Sequence, residues 1–104
     1  MSRITQGTYL DFEGTSLKGY INAKYSDIVA AFGPPLPGDM YKTDVEWIIK
    51  MGPLVATIYN WKNGYAYCRE DGTPTEDITE WNVGGRNVRA VALVLSLVKG
   101  ASRC

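Results

Sequence analysis

The residues best suited to bind a ligand lie near the end of the sequence, in the stretch WNVGGRNVRAVALV. Gly84 and Gly85 stand between an apparent strand and an apparent helix, followed by Arg86, Asn87 and Arg89. The start of a helix exposes backbone N–H groups and a partial positive charge, which attract anions. Glycine lets a ligand approach the backbone, and guanidinium groups bind phosphate oxygens in pairs. These five residues therefore predict an anion site.

An alternative interpretation of the same stretch needs no ligand. Glycines are common in turns, and Arg86 and Arg89 could pair with Glu80 or with the acidic loop that precedes it. Arg89, however, would lie in the first turn of the helix, where a positive charge is unfavourable. A residue that breaks a local rule is more often found at a functional site, so both interpretations stay open.

Aromatic side chains accompany this stretch. We expect the strands that carry them to be neighbours, and the residues concerned are Tyr59, Trp61, Tyr65, Tyr67 and Trp81. Rings that stack on a base, beside arginines that bind its phosphates, are typical of nucleotide recognition. Tyrosine and tryptophan on a small sheet also commonly build a core. One face of the sheet could be the core and the other a pocket.

Several catalytic classes are excluded or disfavoured by the sequence. The chain has no histidine, and neither Cys68 nor Cys104 belongs to a CxxC pair, so histidine-based catalysis and common zinc sites are excluded. A carboxylate hydrolase or an oxygen-ligand metal site is conceivable, but we interpret the acidic groups as solvated surface. We therefore expect no enzyme, no cofactor and no metal. The carboxylates in question are Asp44, Glu46, Asp71, Glu76, Asp77 and Glu80.

Size and charge limit the choice further. The chain has 104 residues, which predicts a single domain over 1–104. Eleven basic and eleven acidic residues give a formal net charge of zero, which argues against general nucleic-acid binding. The sequence shows no signal peptide and no membrane-spanning run, and two cysteines build no disulfide framework. We expect a cytoplasmic protein.

The hydrophobic pattern predicts an α+β domain in the order β-β-α-β-β-β-β-α, an antiparallel sheet of five to six strands with helices on one face. An Asn63-Gly64 turn predicts a hairpin at the centre of this sheet. The six predicted strands are Tyr9–Phe12, Leu17–Ile21, Tyr41–Met51, Leu54–Trp61, Tyr65–Arg69 and Ile78–Val83, with a turn at Gly52-Pro53. A short helix is expected to be capped by Ser26 and ended by Gly33. A long helix is expected from Val88 to Lys99, capped by Asn87 and ended by Gly100.

The last helix is apolar on nearly every side. Five apolar residues form one stripe at helical spacing, and Leu93, Val94 and Leu97 cover much of the remaining surface. The stripe consists of Val88, Val91, Ala92, Leu95 and Val98. A helix of this kind is buried on more than one side. In so small a domain the second cover is expected to be another copy of the chain, so we predict a homodimer or larger assembly through this helix.

The segments VATIYNWKNGYAY and ITEWNVGGRNVRAVALV also carry a resemblance. They look like small phage-encoded proteins in which a TIY-x-W/Y-K-x-G hairpin precedes an EW-x-I/V-GG-K/R-N turn, and YSDIVAAFGPP with YKTDVEW is similar to the same group. The chain most resembles the first family of Thoeris anti-defence sponges. The resemblance implies a small, β-rich oligomer in the cytoplasm of a bacterial host, which binds a cyclic ADP-ribose signal without cleaving it.

The same resemblance implies which residues contact the ligand. Family contacts involve arginines and aromatic or polar groups near subunit interfaces. Matched to this sequence, they predict the ligand-binding residues Arg86, Asn87, Arg89, Trp81 and Asn60, together with Trp61 and Arg69.

Two other functions remain open from the sequence. The first is a protein-binding inhibitor of a host defence complex, similar to an anti-CRISPR protein, whose acidic segment Glu70–Asp77 would imitate nucleic acid. The second is a hydrolase that uses paired carboxylates. Intact recovery of a bound nucleotide separates the binding protein from the hydrolase, and charge reversal in the acidic segment separates it from the inhibitor.

Overall fold

The computed structural model describes residues 4–6, 15–51 and 54–102 of the chain. It is an α+β domain, as the hydrophobic pattern predicts. The elements in chain order are β1 Ile4–Gln6, β2 Ser16–Asn22, α1 Tyr25–Phe32, β3 Leu36–Pro37, β4 Val45–Met51, β5 Leu54–Tyr59, α2 Tyr65–Cys68, 3₁₀ turns at Arg69–Asp71 and Thr75–Asp77, β6 Glu80–Gly85 and α3 Arg89–Ser102.

All strand pairs in the sheet are antiparallel, in the order β1-β4-β5-β6-β2. The two-residue strand β3 pairs with the start of β4, beyond the stretch of β4 that pairs with β1. The strands β4 and β5 are adjacent in sequence and in space. The strand β6 lies between β5 and β2, so the chain returns to the centre of the sheet just before the last helix begins.

The core lies between the sheet and the two longer helices, α1 and α3, which also pack against each other. Trp47 and Trp81 meet edge to face at its centre, with ring centroids 5.3 Å apart. Each indole N–H donates to a backbone carbonyl, Trp47 to Gly33 and Trp81 to Ala23, so neither polar group is left unsatisfied in the interior.

The first helix ends where the sequence predicts. Gly33 has φ of 84°, and its N–H donates to the carbonyl of Val29 at 2.7 Å. This left-handed position favours glycine. The helix begins two residues earlier than expected, at Tyr25, with Lys24 at the cap position and no side-chain cap. The prediction that Ser26 caps the helix is therefore wrong, because Ser26 lies inside it.

The predicted strand Tyr65–Arg69 is also wrong, since its first four residues form the helix α2 and Arg69 begins a 3₁₀ turn. Gly64 has φ of −105°, whereas the hairpin turn expected for Asn-Gly needs positive φ. The carboxylate of Asp44 explains the change. It accepts the backbone N–H of Ala66 at 3.2 Å and packs against Gly64, where a Cβ atom would collide with it.

The end of the chain departs from the prediction in two places. Gly84 and Gly85 belong to the strand β6 and do not form a turn. The helix α3 continues past Gly100, so Gly100 does not end it. The predicted cap is confirmed, because the side-chain oxygen of Asn87 accepts the backbone N–H of Arg89 at 2.9 Å. The predicted strand Tyr9–Phe12, the Gly52-Pro53 turn and Cys104 lie outside the described residues.

Candidate functional site

A groove runs along the face of the sheet that points away from the helices. Side chains alternate along a strand, so Trp81 and Val83 of β6 face the core while Glu80 and Asn82 face the groove. Asn82 pairs directly with Tyr20 on one side and with Tyr59 on the other. The register of the sheet therefore places one amide between two phenol rings.

Trp61 stands beside this row and forms a wall of two adjoining cavities, which we call the Trp61 groove. The cavities measure about 370 and 380 Å³ and share Tyr20, Trp61 and Asn82. The ring of Trp61 is 44% exposed and meets Tyr59 edge to face at 6.2 Å. The residues lining the two cavities are Leu17, Tyr20, Ile21, Asn22, Tyr59, Trp61, Asn63, Glu80 and Asn82.

Two lysines lie over the aromatic rings at the border of the groove. The ammonium of Lys42 is 5.3 Å from the centre of the Trp61 ring, and that of Lys62 is 5.8 Å from it. Each lysine also lies over a tyrosine, Lys42 over Tyr41 and Lys62 over Tyr67. We call Tyr41, Lys42, Trp61, Lys62 and Tyr67 the aromatic–lysine cluster. It brings positive charge to exposed rings, at distances where cation–π attraction operates.

Backbone hydrogen bonds hold the two lysines together. The N–H of Lys62 donates to the carbonyl of Lys42 at 2.8 Å. One carboxylate oxygen of Asp39 accepts the backbone N–H groups of Tyr41, Lys42 and Thr43. These bonds, above all that of Thr43, lower the pKa of Asp39, since they stabilise its charged form. The loop is therefore fixed by local contacts before any ligand arrives.

Asn60 organises the segment that follows Tyr59. It is fully buried, and its side-chain oxygen accepts the N–H of Asp44 at 2.8 Å. Its amide nitrogen donates to Asp44 at 2.9 Å and to the side-chain oxygen of Asn63 at 3.1 Å. The side-chain oxygen of Asn63 is engaged in this hydrogen bond. Its amide N–H groups are therefore the part of the side chain that can donate hydrogen bonds in the groove.

Two groups in the row across the sheet have shifted pKa values. Burial raises the pKa of the Tyr59 phenol, and a hydrogen bond between Tyr59 and Asn82 offsets part of that shift. Glu46 pairs with Tyr59 across β4 and β5. Burial raises the pKa of Glu46, and the charge of Asp39 raises it further. Burial therefore makes the charged form of each group less favourable in the folded protein than in water.

The predicted glycine pair has a structural explanation inside the sheet. Both glycines are buried and pair with β2 and β5. A Cβ on Gly84 would come within 2.5 Å of the Thr57 hydroxyl, and one on Gly85 within 2.7 Å of the Ala90 side chain. The pair therefore allows close packing on both faces of the sheet, which is a sufficient reason for two glycines at this place.

The other predicted ligand residues fall into three places. Trp81 and Asn60 are buried and hydrogen-bonded in the interior. Trp61 lines the groove. The remaining four are exposed on the surface, and none of them lines either groove cavity: Arg69, Arg86, Asn87 and Arg89. The structure does not bring the nine predicted residues into one site.

The sequence did not predict Tyr20, Asn63, Glu80 and Asn82 as binding residues of the groove, nor Lys42 and Lys62 at its border. A signal existed for Asn82, since it alternates with Trp81 and Val83 on β6 and so must face away from the core. No signal in the sequence pointed to Lys42 and Lys62, because exposed lysine is common on any protein surface.

The described part of the chain shows neither a helix that could span a membrane nor a group of three or more side chains that could hold a metal ion. Comparison of the chain with protein-family models, curated proteins and solved structures gives no significant match.

Proposed function

We propose that this protein is a non-catalytic binding protein for a nucleotide-type ligand, which it holds in the Trp61 groove. The observation that carries the proposal is the position of Trp61. Its exposed ring lies under the ammonium groups of Lys42 and Lys62 and also walls two cavities that are large enough for a small molecule.

The chemistry of this surface suits a ligand that has an aromatic base and phosphate. Stacking of a base on an aromatic side chain contributes about 1–3 kcal/mol and tolerates any base. The two ammonium groups supply point charges for phosphate oxygens. Amides of Asn63 and Asn82 supply hydrogen bonds along the groove. Base, charge and polar contacts are thus available within one surface.

The resemblance narrows the ligand to a cyclic nucleotide of the cyclic ADP-ribose type, and we propose that the protein sequesters this signal in the cytoplasm of a bacterial host. This ligand carries two phosphates, one for each of the two lysine ammonium groups. The carboxylates beside the aromatic–lysine cluster are engaged in structural hydrogen bonds, which favours sequestration of the ligand without cleavage. Both oxygens of Asp44 and one oxygen of Asp39 already accept hydrogen bonds that fix the fold, so those oxygens are poor general bases.

Titration with cyclic ADP-ribose tests the proposal. Wild-type protein is expected to show a rise in melting temperature that grows with ligand concentration, as mass action requires. Trp61→Ala is expected to lose that rise. The matched control is Tyr65→Ala, because Tyr65 is similarly exposed, at 48%, but lines neither groove cavity. Heat release of intact ligand supports sequestration, whereas equal binding by Trp61→Ala contradicts the site.

We also propose a homo-oligomer through α3. Val94 and Val98 face the core, while Leu93 and Leu97 are only partly covered and Ala92 is exposed. Association of a second copy would remove this apolar surface from water. Sedimentation of wild-type protein is expected to show a dimer or larger species, and Leu93→Glu a monomer. Ala30→Glu introduces the same charge at an exposed position of α1, outside the proposed interface, and controls for charge alone.

A protein-binding inhibitor is the alternative function. The observation in its favour is the exposure of four carboxylates between Glu70 and Asp77, namely Glu70, Asp71, Glu76 and Asp77. A basic host protein would be attracted to them. Replacing Glu70, Asp71 and Glu76 with lysine is expected to abolish inhibition by this route and to leave nucleotide binding in the Trp61 groove intact, since none of the three lines a groove cavity.

A further inference from the structure

The Trp61 groove is electrically polarised. Lys42 and Lys62 lie on the Trp61 ring at its border, whereas Glu80 lies on the floor of the 380 Å³ cavity, on the same strand face as Asn82. Glu80 also lines a smaller adjoining cavity of about 180 Å³, which it shares with Asn63 and Asp77. A phosphate is attracted by the lysines and repelled by the carboxylates, so a bound nucleotide has one favourable orientation.

The position of Glu80 follows from the register of the sheet. Glu80 pairs directly with Asn22 across β6 and β2, and Asn82 pairs with Tyr20 one step further along the same face. Directly opposite residues have Cβ atoms about 4.5–5.5 Å apart. These four side chains therefore form a compact rectangle on the groove floor, with the carboxylate at one corner.

Next to Glu80, the side chain of Asn63 provides a hydrogen-bond donor in the wall of the groove. Asn63 lines both the central and the smaller cavity, and its side-chain oxygen already accepts a hydrogen bond from Asn60. Its amide N–H groups are thus oriented away from Asn60. An ionised carboxylate offers only acceptors, on two oxygens. The ligand group that fits here has two adjacent N–H or O–H donors for Glu80 and an acceptor for Asn63.

We infer that Glu80 is a specificity-determining residue that selects ligands with a pair of adjacent hydrogen-bond donors, an inference that rests on the proposed nucleotide binding in the Trp61 groove. Two parts of a nucleotide carry such a pair. One is the 2′,3′-diol of ribose, and the other is the N1–H and N2–H edge of guanine. Adenine offers a donor next to an acceptor and does not match a carboxylate in this way.

Four 5′-monophosphates separate the two sources: AMP, 2′-deoxy-AMP, GMP and 2′-deoxy-GMP. Each is titrated into ¹⁵N-labelled full-length protein, with chemical-shift changes as the readout, so that weak binding is measured. Recognition of the diol predicts tighter binding of both ribonucleotides than of their deoxy forms. Recognition of the guanine edge predicts tighter binding of both guanine nucleotides, whatever the sugar.

Glu80→Gln is the decisive variant. A hydrogen bond to a charged group contributes enough for about a tenfold change in affinity, so the preferred ligands are expected to lose about tenfold and the others to change little. The preference itself should disappear. Glu76→Gln removes the same charge from an exposed position outside these cavities and is expected to retain the wild-type preference.

The outcomes distinguish this inference from the proposed function. If all four nucleotides bind wild type equally, or if Glu80→Gln keeps the wild-type preference, the inference is overturned. If the inference is overturned but Trp61→Ala still weakens nucleotide binding, the proposed function stands without the inference about Glu80. If neither cyclic ADP-ribose nor any of the four monophosphates shifts a resonance of the groove in wild-type protein, the proposed function fails and the selection by Glu80 fails with it.

Discussion

Tyr59 and Asn82 lie directly opposite each other on β5 and β6, and their side chains are hydrogen-bonded. Tyr20 pairs with Asn82 from the other side. The amide of Asn82 is thus held in one orientation at the point where the two cavities of the Trp61 groove meet. Rigid support of this kind is what a binding site needs, because a loosely held group contributes less to affinity.

Tyr59→Phe tests this support. Loss of the hydrogen bond is expected to lower the free energy of unfolding by about 0.5–1.5 kcal/mol and to weaken nucleotide binding, because the Asn82 amide is released. Urea denaturation and nucleotide titration measure the two effects. Tyr20→Phe is the control for stability, since Tyr20 is 69% exposed. An equal loss of stability in the two variants would contradict a contribution of the Tyr59–Asn82 bond.

Glu46→Gln is expected to stabilise the protein at pH 7. Burial, and then the charge of Asp39, raises the pKa of Glu46, so its ionised form is less favourable in the folded state than in the unfolded state. The contribution of Glu46 to stability is therefore complete below the unfolded pKa and is lost as pH rises through the folded one. Glutamine has no charge, so its advantage should shrink as pH falls to about 4, near the ordinary pKa of glutamate.

Urea denaturation of both proteins between pH 3 and 7, a window around that pKa, measures this difference. Glu76→Gln, at an exposed position, is expected to stay within about 0.5 kcal/mol of wild type throughout. A gap between Glu46→Gln and wild type that does not depend on pH would contradict the explanation by burial.

Gly85→Ala distinguishes packing from ligand binding at the glycine pair. The added methyl group would lie 2.9 Å from the backbone oxygen of Val55 and 2.7 Å from the Ala90 side chain. Overpacking of this kind costs about 1–3 kcal/mol. Gly19→Ala is the matched control in a strand, because its methyl would meet only the tip of the Val91 side chain, at 3.0 Å. A stable Gly85→Ala protein that loses nucleotide binding would restore the anion site predicted from the sequence.

Two double variants with equal charge change compare the candidate phosphate sites. Lys42→Gln with Lys62→Gln is expected to lower nucleotide affinity at least about tenfold and to reduce its dependence on salt, because close charge pairs contribute to binding and are screened by ions. Arg86→Gln with Arg89→Gln is expected to stay within about twofold. Calorimetric titration at two salt concentrations measures both. The reverse ranking would place the phosphate at the start of α3.

Much of the fold is predictable from the sequence, because alternation and helical spacing determine which face each residue takes. The strands β2 and β4 to β6 and the helices α1 and α3 follow from that pattern, with small errors at their ends. The segment after Tyr59 does not follow. Asn63-Gly64 is a strong local signal for a hairpin, but hydrogen bonds that Asp44, distant in sequence, accepts from this segment, and one from the nearby Asn60 to Asn63, override it.

The candidate site is less predictable for a related reason. In the sequence, Gly84-Gly85 resembles a turn that a ligand could approach closely. In the structure, glycine is needed at these two positions because Thr57 and Ala90 lie against them, and only the folded sheet brings those residues near. Trp61 is predicted from the sequence because aromatic rings on neighbouring strands, beside arginines, are typical of nucleotide recognition. Lys42 and Lys62 become significant only when two separate loops place both ammonium groups on one ring.

The described core and the Trp61 groove occupy opposite faces of the shared strands β2, β5 and β6. Neighbouring residues such as Trp81 and Asn82 therefore have different surroundings, one in the core and one in the groove. Substitutions on the open face need no compensating change beneath the helices. Such a sheet allows the chemistry of its open face to change at a few alternate positions, while the core that supports it stays the same.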